Sequence, residues 1–114
     1  KKQNTEDKVI EFMIMDPFGA TRYQRFEFKP NKLIKIGRDL KSDIVLLGDN
    51  IARMHAVIEI LFNNEIQIID LGNEERTKVN KENITKSKIT ENDTIQIGKY
   101  RIGITGIINQ TYDI

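Results

Sequence analysis

Side chains able to do covalent or metal chemistry are scarce in this chain of 114 residues. It has no cysteine and a single histidine, His55, in the run MHAVIEILF (54–62). Thiol catalysis and thiolate metal sites are therefore excluded. A serine nucleophile needs a base oriented by a third group, and His55 would have to supply any imidazole base. His55 stands in an alternating apolar run, with Ala56, Ile58 and Ile60 on the opposite parity. No carboxylates accompany it at metal-ligand spacing. The segment GRDLKSD (37–43) has one glycine, too few for a Gly-rich phosphate cradle. A hydrogen-bonded structural histidine fits this pattern better than a catalytic one, and no enzyme, metal or cofactor is expected.

Two arginines are better placed. Arg38 closes a β-like run directly after Gly37, and Arg53 opens the RMHAVIEI segment. A guanidinium at a strand end projects toward loops, where it offers phosphate or carboxylate two parallel charge-assisted hydrogen bonds. From spacing alone a second reading is equally open. Both arginines could be ordinary surface residues, with Arg38 paired to Asp39 or Asp43.

The elements that must position these residues read as short strands. Alternating or β-branched runs fall at 9–15, 23–28, 32–38, 43–47, 54–62, 65–70, 93–98 and 100–107. Between them lie turn signals such as DPFGA (16–20) and Asn63-Asn64, a pair that tolerates positive φ. The charged stretch 71–87 lacks an apolar stripe and reads as loops around one short strand. No window carries a capped 3.6-residue period, so the fold class is all-β, a sandwich or barrel. Residues 1–8 read as a flexible N-terminal segment, 9–108 as the domain and 109–114 as a tail.

Eighteen Lys and Arg balance seventeen Asp and Glu. That near-neutrality removes the electrostatic basis for general nucleic-acid binding. Single-strand binding on a β platform needs stacked aromatics along a basic groove, and there are five Phe, three Tyr and no Trp. No apolar run nears the ~20 residues that span a bilayer, and the opening KKQNTED lacks a secretory h-region. The absence of cysteine favours a reducing, cytoplasmic setting, with no membrane insertion by this domain. The chain reads as a domain cut from a longer protein.

The order of the motifs resembles a known family. IKIGRDLKSDIVL, IARMHAVIEI, IIDLGNEERTKVN and ITENDTIQIGKYRI follow one another over roughly residues 33–104. Together they are similar to forkhead-associated (FHA) domains, whose pattern runs Gly-Arg, Asp-Ile-Val, Ser-Arg-x-His, Asp-Leu-Gly-Ser-Thr-Asn-Gly-Thr-x-Val-Asn and Gly-Asp-x-Ile-x-Ile-Gly. The resemblance implies a β-sandwich of about eleven mostly antiparallel strands that binds phosphothreonine peptides through loops at one end. It implies that Arg38 is the phosphate-binding arginine beside Gly37, that Arg53 adds charge, and that His55 braces the loops. Asp70, Leu71 and Gly72 match the next strand end, followed in register by Thr77, Val79 and Asn80. Lys41 and Ser42 in the first loop, with Asn73 and Arg76 in the third, are further candidates for holding the peptide.

The sequence departs from the family pattern in two places. Ala52 stands where a serine hydroxyl would donate to the phosphate, and Glu75-Arg76 replace the Asn-Gly of the third loop. Losing one hydrogen bond to a charged group costs about 1.5–3 kcal/mol, roughly one to two decades of affinity. Arg76 brings a guanidinium that could supply the missing donor. The partner expected is therefore a phosphorylated protein or peptide. The alternative is a phospho-independent partner docked on an FHA-fold scaffold within a larger assembly.

Overall fold

The computed structural model describes residues 4–113, which form eleven strands and no helix. Six strands make one sheet: β1 (Asn4–Met15), β2 (Thr21–Glu27), β7 (Lys78–Val79), β8 (Glu82–Asn83), β10 (Ile95–Ile97) and β11 (Tyr100–Asp113). Their order is β2-β1-β11-β10-β7-β8. The second sheet holds β3 (Leu33–Gly37), β4 (Ile44–Val45), β5 (Ala56–Ile60), β6 (Ile66–Asp70) and β9 (Lys86–Ile89), in the order β4-β3-β5-β6-β9. Among the described residues β3 and β4 pair in parallel, and the other registers run antiparallel. The all-β sandwich read from the sequence is the fold observed.

Period-two alternation builds the core between the sheets. Ile10, Phe12 and Ile14 of β1 face Ile34 and Ile36 of β3, Ile58 and Ile60 of β5, and Ile68 of β6, all fully buried or nearly so. β-Branched side chains dominate because they fill a pleated surface at little rotamer cost. Phe12 is the largest fully buried side chain, and its ring meets Phe26 edge to face at 6.1 Å.

The sequence reading differs from the structure at both termini and in one internal stretch. Residues 4–8 and 109–113 pair with each other as the outer ends of β1 and β11, so strand replaces the flexible segment and tail over those positions. Residues 1–3 and 114 lie outside the described residues. The stretch 71–87 contains not one short strand but the β7–β8 hairpin and the start of β9. Asn80 and Lys81 turn that hairpin with φ of 51° and 74°. Two-residue strands are too short to show an alternation, which is why the pattern misses them. The Asn63-Asn64 turn does adopt positive φ, at Asn64.

Topology gathers three connections at one end of the sandwich: residues 38–43, 46–55 and 71–77. The antiparallel pairing of Ala56 with Asp70 places the start of β5 beside the end of β6, and Ile36 pairs with Ala56 from the other side. Tyr100 holds the middle connection, its hydroxyl donating to the Leu47 carbonyl at 2.9 Å and accepting from the Leu47 N–H at 3.2 Å. No helix of the described residues is long and apolar enough to cross a membrane.

Phe12→Ala removes the largest fully buried side chain and should cost about 3–5 kcal/mol of unfolding free energy. Urea denaturation measures it, and a loss below about 1 kcal/mol would contradict this placement of the core.

Candidate functional site

The site is built outward from a buried carboxylate. Asp70 ends β6 on the core parity of Ile66 and Ile68, so its carboxylate is carried inward with them. A charge there must be met by hydrogen bonds, and the next connection supplies five. The N–H and hydroxyl of Thr77 donate to Oδ1 at 3.0 and 2.8 Å, and the Asn73 amide reaches the same oxygen at 3.3 Å. The N–H groups of Gly72 and Asn73 donate to Oδ2 at 3.0 and 3.2 Å. Burial raises the carboxyl, but the donors from Thr77, Asn73 and Gly72 outweigh it and hold Asp70 below the usual aspartate range.

His55 lies against this knot and is fully buried, although its parity is opposite to Ala56, Ile58 and Ile60. The reason is that β5 begins only at Ala56, so His55 belongs to the preceding bend. Its backbone ties three segments: the N–H donates to Ile36, and the carbonyl accepts from the Leu71 N–H at 3.0 Å and the Asn73 amide at 2.7 Å. On the ring, Nδ1 accepts the Ala52 N–H at 3.1 Å, which places the ring proton on Nε2. Nε2 has no hydrogen-bond partner and faces Asp70 Oδ1 at 3.9 Å. Burial pushes the imidazole below its usual range, against the opposing pull of Asp70 and the Glu75 main chain.

Gly37 is where the first two loops touch. A Cβ there would sit 2.1 Å from the Arg53 carbonyl oxygen, so only glycine admits the contact. Arg38 and Asp39 donate their N–H groups to the Ala52 and Arg53 carbonyls at 3.0 and 3.2 Å, locking the pair of loops side by side.

On this frame the exposed groups separate into free and committed. Arg38 donates Nε to the Ile51 carbonyl at 3.1 Å, and no ion pair to it is found among the described residues. Neither aspartate near it is its partner. Asp39 takes Arg53 at 3.3 Å and the Lys41 N–H, and Asp43 takes the Lys35 N–H at 2.8 Å. Hydrogen bonding from Lys41, with help from Arg53, holds the Asp39 carboxyl below its ordinary value. Arg53 is thus exposed but already paired. Lys41 and Ser42 follow in the same loop, and their side chains line a hollow beside Asp39. The Asn73 amide is spent on His55 and Asp70, so it braces the loop. The Arg76 guanidinium is drawn to the Thr85 hydroxyl at 3.0 Å. Ala52 offers no hydroxyl, yet both its backbone groups are engaged, one by His55 and one by Arg38. Among the described residues no three His, Cys, Asp or Glu gather as a metal site.

Sequence reasoning missed the Asp70 donors and the Tyr100 latch. One signal for the first was available: an acid at a core-parity position, two residues after Ile68, must be paid for by nearby donors.

A family model for the FHA domain matches residues 34–98. The glycogen accumulation regulator GarA of Mycobacterium tuberculosis is 38% identical over 66 residues, covering 58% of this chain and 40% of the relative. The oxoglutarate dehydrogenase inhibitor of Corynebacterium efficiens is 36% identical over 66 residues, covering 58% of this chain and 46% of the relative. The chain thus spans less than half the length of these relatives. Among solved structures, the FHA domain of the CT664 protein from Chlamydia trachomatis superposes with a TM-score of 0.68 at 25% identity, covering 84% of this chain and 97% of that one.

The folded chain holds His55 neutral, whereas the unfolded chain takes up a proton as pH falls through about 6.5, so acid favours unfolding. Stability should be full above that pH and decline as pH falls below it, with Asp70 adding a further loss in the lower aspartate range. Denaturation midpoints across this range test it. A His55→Gln variant should be less stable at neutral pH but flatter between about pH 7 and 5; a flat wild-type profile would refute the assignment.

Proposed function

The chain belongs to the FHA family, and we propose that its loop end binds phosphothreonine-containing peptides with Arg38 as the main phosphate ligand. The observation that carries this reading is the state of Arg38. Its Nε is fixed on the Ile51 carbonyl, and the aspartates that could have neutralised it are engaged by Arg53 and by the Lys35 N–H. Arg38 is exposed, and no ion pair among the described residues takes its terminal guanidinium nitrogens, a planar pair of donors suited to a phosphate dianion. Lys41 and the Ser42 hydroxyl stand in the same loop and supply further charge and a donor. Arg53 contributes once the phosphate draws it from Asp39, an exposed pair that holds it only weakly.

The domain performs no chemistry in this reading. His55 is buried, neutral and bonded through both its backbone groups, and it serves as a brace. Gly37 serves the same end by letting the loops meet. A phosphate held by positioned donors needs no other catalytic or cofactor group. That relatives are named as a regulator and an inhibitor agrees with a module that works by binding.

A second reading rests on Ala52 and Glu75. The missing hydroxyl removes a phosphate donor, and Glu75 adds a carboxylate to the third loop. On that basis the domain would dock a partner without phosphate, as a scaffold, and loss of Arg38 would not matter.

Calorimetric titration with a degenerate phosphothreonine peptide pool and its unphosphorylated counterpart separates the two. Phosphate-dependent binding is expected, and Arg38→Ala should weaken it by at least tenfold, from the roughly 1.5–3 kcal/mol carried by a charged hydrogen bond. Ala52→Ser should strengthen it by about tenfold by restoring a hydroxyl donor. Binding indifferent to phosphate and to Arg38 would select the scaffold reading.

A further inference from the structure

The surface that continues downward from the loop end is the outer face of the five-stranded sheet. The strand registers draw one row across it: Lys35 on β3 opposite Val57 on β5, Val57 opposite Ile69 on β6, and Ile69 opposite Lys86 on β9. Alternation requires this row, because Ile36, Ala56 and Ile68 beside it point into the core. Two half-buried apolar side chains thus stand between two exposed lysines on a face that burial in the sandwich does not explain.

The row rises into the loops. Met54 is 62% exposed and Leu71 43% exposed, and with Val57 they wall a hollow of about 160 Å³ whose rim is formed by Lys41 and Ser42. Exposed methionine and leucine converging on one hollow are the kind of patch that marks an interaction site. Among the described residues Lys35, Lys41 and Lys86 take part in no ion pair. Asp39 is engaged by Arg53, Asp43 by the Lys35 N–H, and Glu59 by the Gln67 amide.

We infer that this face is a second contact surface for the phosphorylated partner. An apolar side chain of the partner fills the hollow between Met54, Leu71 and Val57, and Asp or Glu residues beside it meet Lys35 and Lys86. The inference rests on the phosphopeptide reading of Arg38 and adds the chemistry the partner carries outside its phosphate. Two features select this occupant. The hollow shares Asp39 and Ser42 with the loop that carries Arg38, so one extended segment reaches both. The lysines that flank the apolar strip demand acidic neighbours, whereas a second copy of this chain would present the same lysines and be repelled.

The test is a selection from two peptide libraries with randomised flanks, one fixed on phosphothreonine and one on unphosphorylated threonine. The targets are the wild-type domain, a Lys35→Glu/Lys86→Glu double variant, and a Val57→Thr/Ile69→Thr double variant, each checked by thermal melting. The wild type should enrich Leu, Ile, Val or Met beside Asp or Glu at a constant offset from phosphothreonine. The lysine double should lose the acidic preference and bind the selected peptide about three- to tenfold more weakly while keeping its dependence on phosphate. The apolar double should lose the aliphatic preference, and the exposed lysine double keeps the test open if that variant melts early. Phosphate-dependent enrichment with no flanking preference, or the same preference in the lysine double, overturns the second surface and leaves the Arg38 reading intact. No enrichment from either library overturns both. Enrichment of the acidic and aliphatic flanks from the unphosphorylated library alone keeps the surface and overturns the phosphate reading.

Discussion

A carboxylate buried at the end of a strand sets the terms for the whole loop end. Asp70 is carried inward by the alternation that buries Ile66 and Ile68, and its charge is tolerable there only because five donors converge on it. Those donors come from Gly72, Asn73 and Thr77, so the connection after β6 has little freedom to take another path. His55 then fits between that connection and the one before β5, with Ala52 donating to its ring. Gly37 brings the first connection into contact with the second. The fixed positions of Arg38 and Arg53 are the far consequence of satisfying one buried charge.

This arrangement divides labour between residues that hold and residues that touch. Asp70, Thr77 and His55 are buried and bonded, while Arg38, Arg53 and Lys41 stand exposed on the surface they create. Ala52 belongs to both groups by backbone and to neither by side chain. Its N–H and carbonyl secure the loops whatever its side chain is. The loop frame therefore persists although the hydroxyl is gone, and the position is open to change without loss of fold.

Much of this was legible in the sequence, for identifiable reasons. Runs of alternating isoleucine specify strands, and Gly37 with Arg38 at a strand end, followed by Arg53 and His55, marks the end of the sandwich where the structure gathers these residues. The missing hydroxyl at residue 52 was equally plain. What escaped depends on backbone turns that no period announces. The two-residue strands β7 and β8 are held by a turn at Asn80 and Lys81, and nothing in their composition distinguishes them from a loop. Its place in the third loop makes Asn73 a candidate for holding the peptide, and nothing in the sequence announces the inward turn of its amide onto His55 and Asp70. The choice between Arg38 and Arg53 as the free cation likewise turned on which of them Asp39 would take, a matter of a few ångströms.

The pairing of β1 with β11 also has a mechanical side. Met15 lies opposite Arg101 near the loop end, and the same ladder runs away from it until Asn4 lies opposite Asp113. Both ends of the described chain therefore leave from one corner, remote from Arg38. Forces that drew these two ends apart would act on a single two-stranded stalk and peel its outer rungs one at a time before reaching the sandwich. The rungs between Met15 and Arg101, next to the 46–55 connection, would be the last to part, so strain at the outer ends would be spent before it reached the frame around Asp70.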